Sequence, residues 1–257
     1  MAMAMAIAIV MAAGQIWTVF WRDWLVLKRR LGRYILARMI SPVLYLVAFG
    51  WGLGRNLQMD HGSYLDFIVP GILALNSMNI SFNAVGTPVN MSRLYHKTLE
   101  EYLLAPISAA SYVVGKVLAG VLRGLISSAV ILMLAYFFGA HVRIGPIFLL
   151  ALFLNCGVFA ALGLVAAMVM NSHEEMSNFN TYVLTPMSFL CATFFSTSHL
   201  PLFFRYLIEV LPLTHASYAL RQGGPAGMAP GVSIVILMAY LGVFLGVGIL
   251  QIRKVRV

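Results

Sequence analysis

The chain has 257 residues, 61% of them hydrophobic and only 10% charged, with a formal net charge of +9 and a mean hydropathy of +0.90. That composition excludes a sizeable soluble catalytic domain, because the polar text between the apolar runs is too short to build one. The positive balance does not point to nucleic acid: the basic residues sit beside the ends of apolar runs, where lipid head groups and the positive-inside rule account for them.

In chain order, the opening MAMAMAIAIV carries no basic stretch, so it is not read as a secretory signal. Over 15–33, Ile16, Trp17, Phe20, Trp21, Trp24, Leu27 and Leu31 recur at helical spacing while Arg22, Asp23, Lys28, Arg29 and Arg30 fall mainly elsewhere. This pattern predicts an amphipathic helix lying in the membrane interface, the alternative being a polar flank of the first span. Six runs then approach the roughly 20 residues that cross a hydrocarbon core of about 30 Å, and inside lipid they must be helices. They cover 34–53, 66–86, 112–138, 146–170, 181–197 and 232–252.

The predicted fold is therefore an all-α membrane protein: six transmembrane helices, an N-terminal interfacial amphipathic helix and an extracytoplasmic re-entrant helical segment between spans five and six. That last segment, 198–227, holds LFFRYLIEVL, too short to span and flanked by prolines. It either dips into the outer leaflet or rests on lipid as a surface helix. Orientation follows from charge. With both termini, 87–111 and 171–180 inside, that side carries Arg22, Lys28, Arg29, Arg30, Arg33, Arg93, Lys97, Arg253, Lys254 and Arg256, against Arg55, Arg143, Arg205 and Arg221 outside.

Catalytic text is missing. Gly115-Lys116 is followed by Val117 and lacks the leading glycine, so there is no phosphate-binding loop. His173-Glu174-Glu175 opens like a zinc-protease helix, but Ser177 stands where the second histidine belongs, and no metal site is expected. Cys156 and Cys191 lie in apolar runs and read as small buried hydrophobes. No acid lies at mid-depth, which disfavours a self-powered carrier. Arg123 alone lies well inside a span, either snorkelling inward toward Lys116 or meeting an anionic substrate. Asn76, Asn79 and Asn83 share one helical face, as do Thr181, Thr185 and Ser188; such stripes either glue helices or line a passage. Glycine pairs at Gly50/Gly54, Gly120/Gly124 and Gly242/Gly246 have close-packing spacing.

The most specific stretch is RLYHKTLEEYLLAPISAASYVVGK, 93–116. Its charged amphipathic first half predicts a short helix parallel to the membrane, carrying Glu100, Glu101, Tyr102 and Leu103 as a docking knob for a soluble partner. Together with the tryptophan-rich helix, SPVLYLVAFGWGLG at 41–54, KTLEEYLLAPIS at 97–108, FSTSHLP at 195–201 and LPLTHA at 211–216, this stretch resembles the permease subunits of the type-2 ABC exporter family over nearly the whole chain. The resemblance implies an inner-membrane homodimer with two ATP-binding cassette subunits docked inside. No cofactor belongs to this chain, ATP and Mg being held by the partner, which hydrolyses the ATP. It further implies docking through Lys97, Thr98, Leu99, Glu100, Glu101, Tyr102, Leu103 and Pro106, a second cytoplasmic contact at His173, Glu174 and Glu175, and outward movement of an amphipathic, lipid-linked, saccharide or drug-like substrate. The polar path would be lined by Asn76, Asn79, Asn83, Arg123, Thr181, Thr185 and Ser188. A membrane anchor that recruits a soluble partner without transporting anything is the alternative, and a channel a third.

Overall fold

The computed structural model describes residues 2–48, 64–191, 201–223 and 229–256, which are mostly helical with no strand among them. Eleven helices follow in order: α1 (Ala2–Lys28), α2 (Leu31–Tyr45), α3 (Tyr64–Leu94), α4 (Thr98–Leu104), α5 (Ala109–Phe137), α6 (Pro146–Val169), α7 (His173–Phe179), α8 (Thr185–Leu190), α9 (Leu202–Glu209), α10 (Pro212–Leu220) and α11 (Pro230–Arg256). Among the described residues five stretches are long and apolar enough to cross a membrane: Leu31–Ala48, Leu65–Leu94, Ala109–Phe137, Pro146–Val169 and Pro230–Val255. The run expected at 181–197 is present to residue 191 as a π-helical turn, Asn180–Leu184, continued by α8. Its remaining residues, 192–197, lie outside the described part, as do Gly50 and Gly54.

Helices α3, α5 and α6 form the centre, and glycine brings them together. A Cβ at Gly163 of α6 would meet the Phe82 carbonyl of α3, and one at Gly124 of α5 would meet Ser81 and Cys156. Gly120 is likewise closed in by Val85 and Ala160, so the Gly120/Gly124 pair packs against both neighbours. In lipid, where tails are as apolar as leucine, such close approach is what holds helices to one another. Gly242 and Gly246 face open space instead. The largest buried side chains here include Phe82, Phe148, Phe159, Met78 and Leu164.

Several boundaries differ from the sequence reading, each for a local reason. Helix α1 begins at Ala2, since the alternating Met/Ala opening is made of strong helix formers. It ends at Lys28; the bond from the Arg30 N–H to the Leu27 carbonyl tightens the turn, and residues 31–33 belong to α2. Helix α3 does not stop near residue 86 but continues through polar Thr87, Asn90 and Ser92 to Leu94, because Val89 and Asn90 bury against the bundle. In the segment 198–227 the buried helix is α10, not the more hydrophobic α9. Thr214, Ala216, Ser217 and Ala219 are small enough to let α10 pack closely, whereas Phe203 and Leu207 of α9 are exposed.

Side chains fasten this corner. The Thr214 hydroxyl donates to the Ile208 carbonyl at 2.6 Å, His215 Nε2 donates to the Glu209 carbonyl at 2.8 Å, and the Tyr240 hydroxyl donates to the Val210 carbonyl. Three consecutive carbonyls at the end of α9 are thereby satisfied. Burial pushes the His215 imidazole below its ordinary value. Arg221 Nε reaches the Phe67 carbonyl at 3.1 Å and ties the end of α10 to the start of α3.

Candidate functional site

Helix α4 is the only short helix between α3 and α5, and its two ends are set by sequence. Glu100 and Glu101 in its first turn complement the helix dipole, and Ala105, placed before Pro106, is held extended and stops it. Lys97 enters the helix with φ 51°, a left-handed conformation costly for a residue with a side chain. Lys97→Gly is therefore expected to stabilise the chain by about 1 kcal/mol, read as a raised thermal midpoint of the detergent-solubilised protein.

The two faces of α4 are distinct. Leu99 is 2% exposed and packs inward; Glu100, Glu101 and Leu104 face out, Leu104 at 89% exposure. Thr98 bonds Ser92 at 2.7 Å, joining α4 to the end of α3. Tyr102 turns toward the bundle: its ring meets Tyr112 edge-on at 5.0 Å, with the Arg22 guanidinium 5.0 Å and Lys116 Nζ 5.5 Å from its centroid. The side chain of Leu103 lies outside the described part. The outer face of α4 thus sets a large exposed apolar group, Leu104, beside the carboxylates of Glu100 and Glu101. The exposure of Leu104 escapes a sequence reading because it fits the same amphipathic pattern as Leu99, and only packing separates the two.

Helix α1 holds α5 and the loop that leaves α4 from the other side. Lys116 Nζ donates to both oxygens of Asp23 at 2.9 Å, and the two side chains are only 12% and 20% exposed. Gln15 holds the descending chain with its whole amide: Nε2 donates to the Pro106 carbonyl at 2.8 Å, and Oε1 accepts from the Ser108 N–H at 3.1 Å. Ser108 in turn caps α5 by accepting from the Ser111 N–H at 3.0 Å. The crossing of α1 over α5 depends on Gly115, where a Cβ would strike Val19 and the Ile16 carbonyl. Trp17 and Trp21, stacked at 5.5 Å, remain exposed on the outer face of α1.

A second polar lock joins the arms that carry α4 and α7. Arg93, in the last turn of α3, donates from Nη2 to the Met170 carbonyl at 3.0 Å and to Asn171 Oδ1 at 2.8 Å, and from Nη1 to the Met168 carbonyl. Asn90 Nδ2 adds a bond to the Met170 carbonyl at 3.0 Å. These acceptors are carbonyls at and just beyond the C-terminus of α6, where a cation is favoured. Past them, Ser172 and Glu175 form a capping box: Ser172 Oγ accepts from the Glu175 N–H at 3.0 Å, and Glu175 Oε2 accepts from the Asn171 N–H at 2.8 Å. His173, Glu174 and Glu175 are exposed, while Met176 is buried against Gly86.

Deeper in the bundle, the asparagine stripe of α3 is joined to the segment before α8 through Asn180. Asn79 and Asn83 donate to carbonyls one turn back in α3, at 3.1 and 2.8 Å, and Asn180 Nδ2 reaches Asn83 Oδ1 at 3.3 Å. Ser127 of α5 lies 3.5 Å from Asn76 Oδ1. Pro88 has no N–H to give the Ala84 carbonyl four residues earlier, and Arg123 Nη1 donates to that carbonyl at 3.1 Å. Arg123 thus reaches sideways to α3 rather than along α5 toward Lys116. Placing arginine at a helix centre in lipid costs about 3 kcal/mol on insertion scales. Thr181 and Thr185 are exposed and bonded to carbonyls of their own helical segment at 3.2 and 3.1 Å, whereas Ser188 is buried and bonds the Leu184 carbonyl at 2.8 Å.

Residues 14–223 match the family model described as ABC-2 type transporter. The chain is 27% identical over 236 residues to the inner membrane transport permease YadH of Escherichia coli strain K12, covering 87% of this chain and 92% of that one. It is 28% identical over 247 residues to nodulation protein J of Sinorhizobium fredii, covering 92% and 93%. Against nodulation protein J of Rhizobium meliloti it is 27% identical over 256 residues, covering 96% and 97%. With several bilayer-length apolar helices and this family match over most of its length, the chain is a multi-pass membrane transporter subunit and belongs to the ABC-2 type transporter family.

Proposed function

We propose that the chain is the permease subunit of an ATP-driven exporter of the inner membrane, working as a homodimer with two ATP-binding cassette subunits docked on its cytoplasmic side. In this reading α1 lies in the inner interface, six segments cross (α2, α3, α5, α6, the segment continuing through α8, and α11), and α9–α10 form a re-entrant corner on the outer side. Both termini are cytoplasmic, beside the basic residues that end α1 and α11.

The two-faced placement of α4 carries the proposal. Its inner face is fixed by Leu99 and by Tyr102 against α1 and α5, while among the described residues Glu100, Glu101 and Leu104 stand out exposed. A push delivered there passes into α1 through Lys116 and Asp23, and into α6 and α7 through Arg93. Closure of the ATPase subunits would shift α4, and the stiff polar locks would carry that shift to the spans. His173, Glu174 and Glu175 offer the second contact.

The path is the polar face. Asn76, Asn79, Asn83, Arg123 and Asn180 are half-buried and Thr181 and Thr185 exposed in the single chain. At bilayer depth lipid tails offer nothing to the donors and acceptors these groups leave unused, which favours cover by a second protomer or a wet passage. The substrate class is an amphiphile able to move between lipid and that passage.

Replacing Glu100 and Glu101 together with alanine tests the docking assignment. In a complex reconstituted with the ATPase subunit, transport-linked ATP hydrolysis is expected to fall severalfold, with membrane insertion and yield of the permease unchanged. Full coupling in the double variant would contradict the assignment.

A further inference from the structure

We infer that the mid-depth polar seam binds the anionic headgroup of an amphiphile, with Arg123 as its cationic ligand. The inference rests on the permease reading above and specifies the charge of what passes.

Arg123 stands at the middle of α5, with Ala109 and Phe137 equally far along the helix on either side. At about 1.5 Å per residue each end is roughly 21 Å away, beyond the reach of a snorkelling side chain. The guanidinium therefore stays at depth. Its Nη1 is fixed on the Ala84 carbonyl, which Pro88 leaves open, but that bond uses one of five donors. Among the described residues its Nε is buried with no hydrogen-bond partner, and no carboxylate pairs with it. Among the described residues the polar groups next to its anchor and along its helix are neutral: Asn83, beside Ala84, is bonded to Asn180, and Ser127, one turn along α5, is bonded to Asn76. A cation anchored at one corner, with donors left over and no counter-charge, is half of an ion pair. A phosphate or carboxylate supplies the other half, because its oxygens match the planar fork in two parallel bonds. A cationic amphiphile would meet repulsion there, and a neutral one would leave the charge uncompensated.

The test uses the full-length chain in phosphatidylcholine nanodiscs, without any ATPase subunit. Binding is measured for three probes with one tail and different heads: dodecyl phosphate, neutral dodecyl maltoside and cationic dodecyltrimethylammonium. The wild type is expected to bind dodecyl phosphate at least tenfold more tightly than the other two. Arg123→Gln, which keeps a donor for the Ala84 carbonyl, should lose that preference while its affinity for dodecyl maltoside stays the same. Arg123→Lys, with charge but no fork, should fall between them. Equal binding of the three probes by the wild type overturns the inference, whether or not a variant folds, and so does dodecyl phosphate binding that is unchanged in Arg123→Gln. Displacement of dodecyl phosphate by equimolar inorganic phosphate would overturn the amphiphile assignment. Because no nucleotide partner is present, these results are independent of the Glu100 and Glu101 experiment, and either proposal can fail alone.

Discussion

Arg93→Ala is expected to uncouple the arm of α4 from the arm of α7 and to destabilise the chain by about 3 kcal/mol, given that hydrogen bonds to a charged donor contribute about 1.5–3 kcal/mol each and that part of the loss is recovered by water. The guanidinium holds the Met168 and Met170 carbonyls and Asn171 Oδ1, so its removal opens the C-terminus of α6 and leaves Asn90 as the remaining side-chain link to Met170. Arg93→Lys should recover the dipole interaction but not the fork, and land between the two. The check is a denaturation midpoint of the purified permease together with ATP hydrolysis by the reconstituted complex. Both should fall in Arg93→Ala. A variant as stable and as well coupled as the wild type would show that the two arms move independently.

The second large effect is at the Asp23–Lys116 pair. These side chains are mostly buried, so salt screens them weakly, and removing one leaves the other desolvated without its partner. Asp23→Asn is expected to cost about 3 kcal/mol and to loosen α1 from α5, releasing the Tyr102 ring from one of its walls. The exchanged double variant, Asp23→Lys with Lys116→Asp, should recover a substantial part of the stability lost by either single change. Thermal midpoints of the four proteins form the cycle. Additive losses with no recovery would mean that the pair is an incidental surface contact.

Much of this architecture can be read from the residues. The apolar runs at 112–138, 146–170 and 232–252 coincide closely with α5, α6 and α11, since length and hydropathy alone specify a helix in lipid. Thr98–Leu104 is legible as a short helix because two acids open it and a proline closes it. The polar locks are not legible. Nothing in the spacing of Asp23 and Lys116, or of Gln15 and Ser108, joins residues more than ninety positions apart. Arg93 reads as a loop cation obeying the positive-inside rule until α6 is seen to end beside it. Arg123 shows the same gap more sharply: a snorkelling reading uses only its distance from Lys116, whereas its placement follows from a carbonyl left open by Pro88 on another helix. Which helix of the α9–α10 corner is buried is hidden for the same reason, because hydrophobicity favours α9 while close packing favours the smaller residues of α10.

The claim on which the rest depends is that α4 meets an ATP-binding subunit on the cytoplasmic side. A photo-reactive amino acid in place of Leu104, the most exposed apolar residue of that helix, tests it directly in intact cells expressing both subunits. Irradiation is predicted to give one adduct, containing this chain and the ATP-binding subunit, and to lose it when the same group is moved inward to Leu99. Adducts formed only with lipid, or labelling of position 104 by a membrane-impermeant reagent applied from outside, would contradict the account.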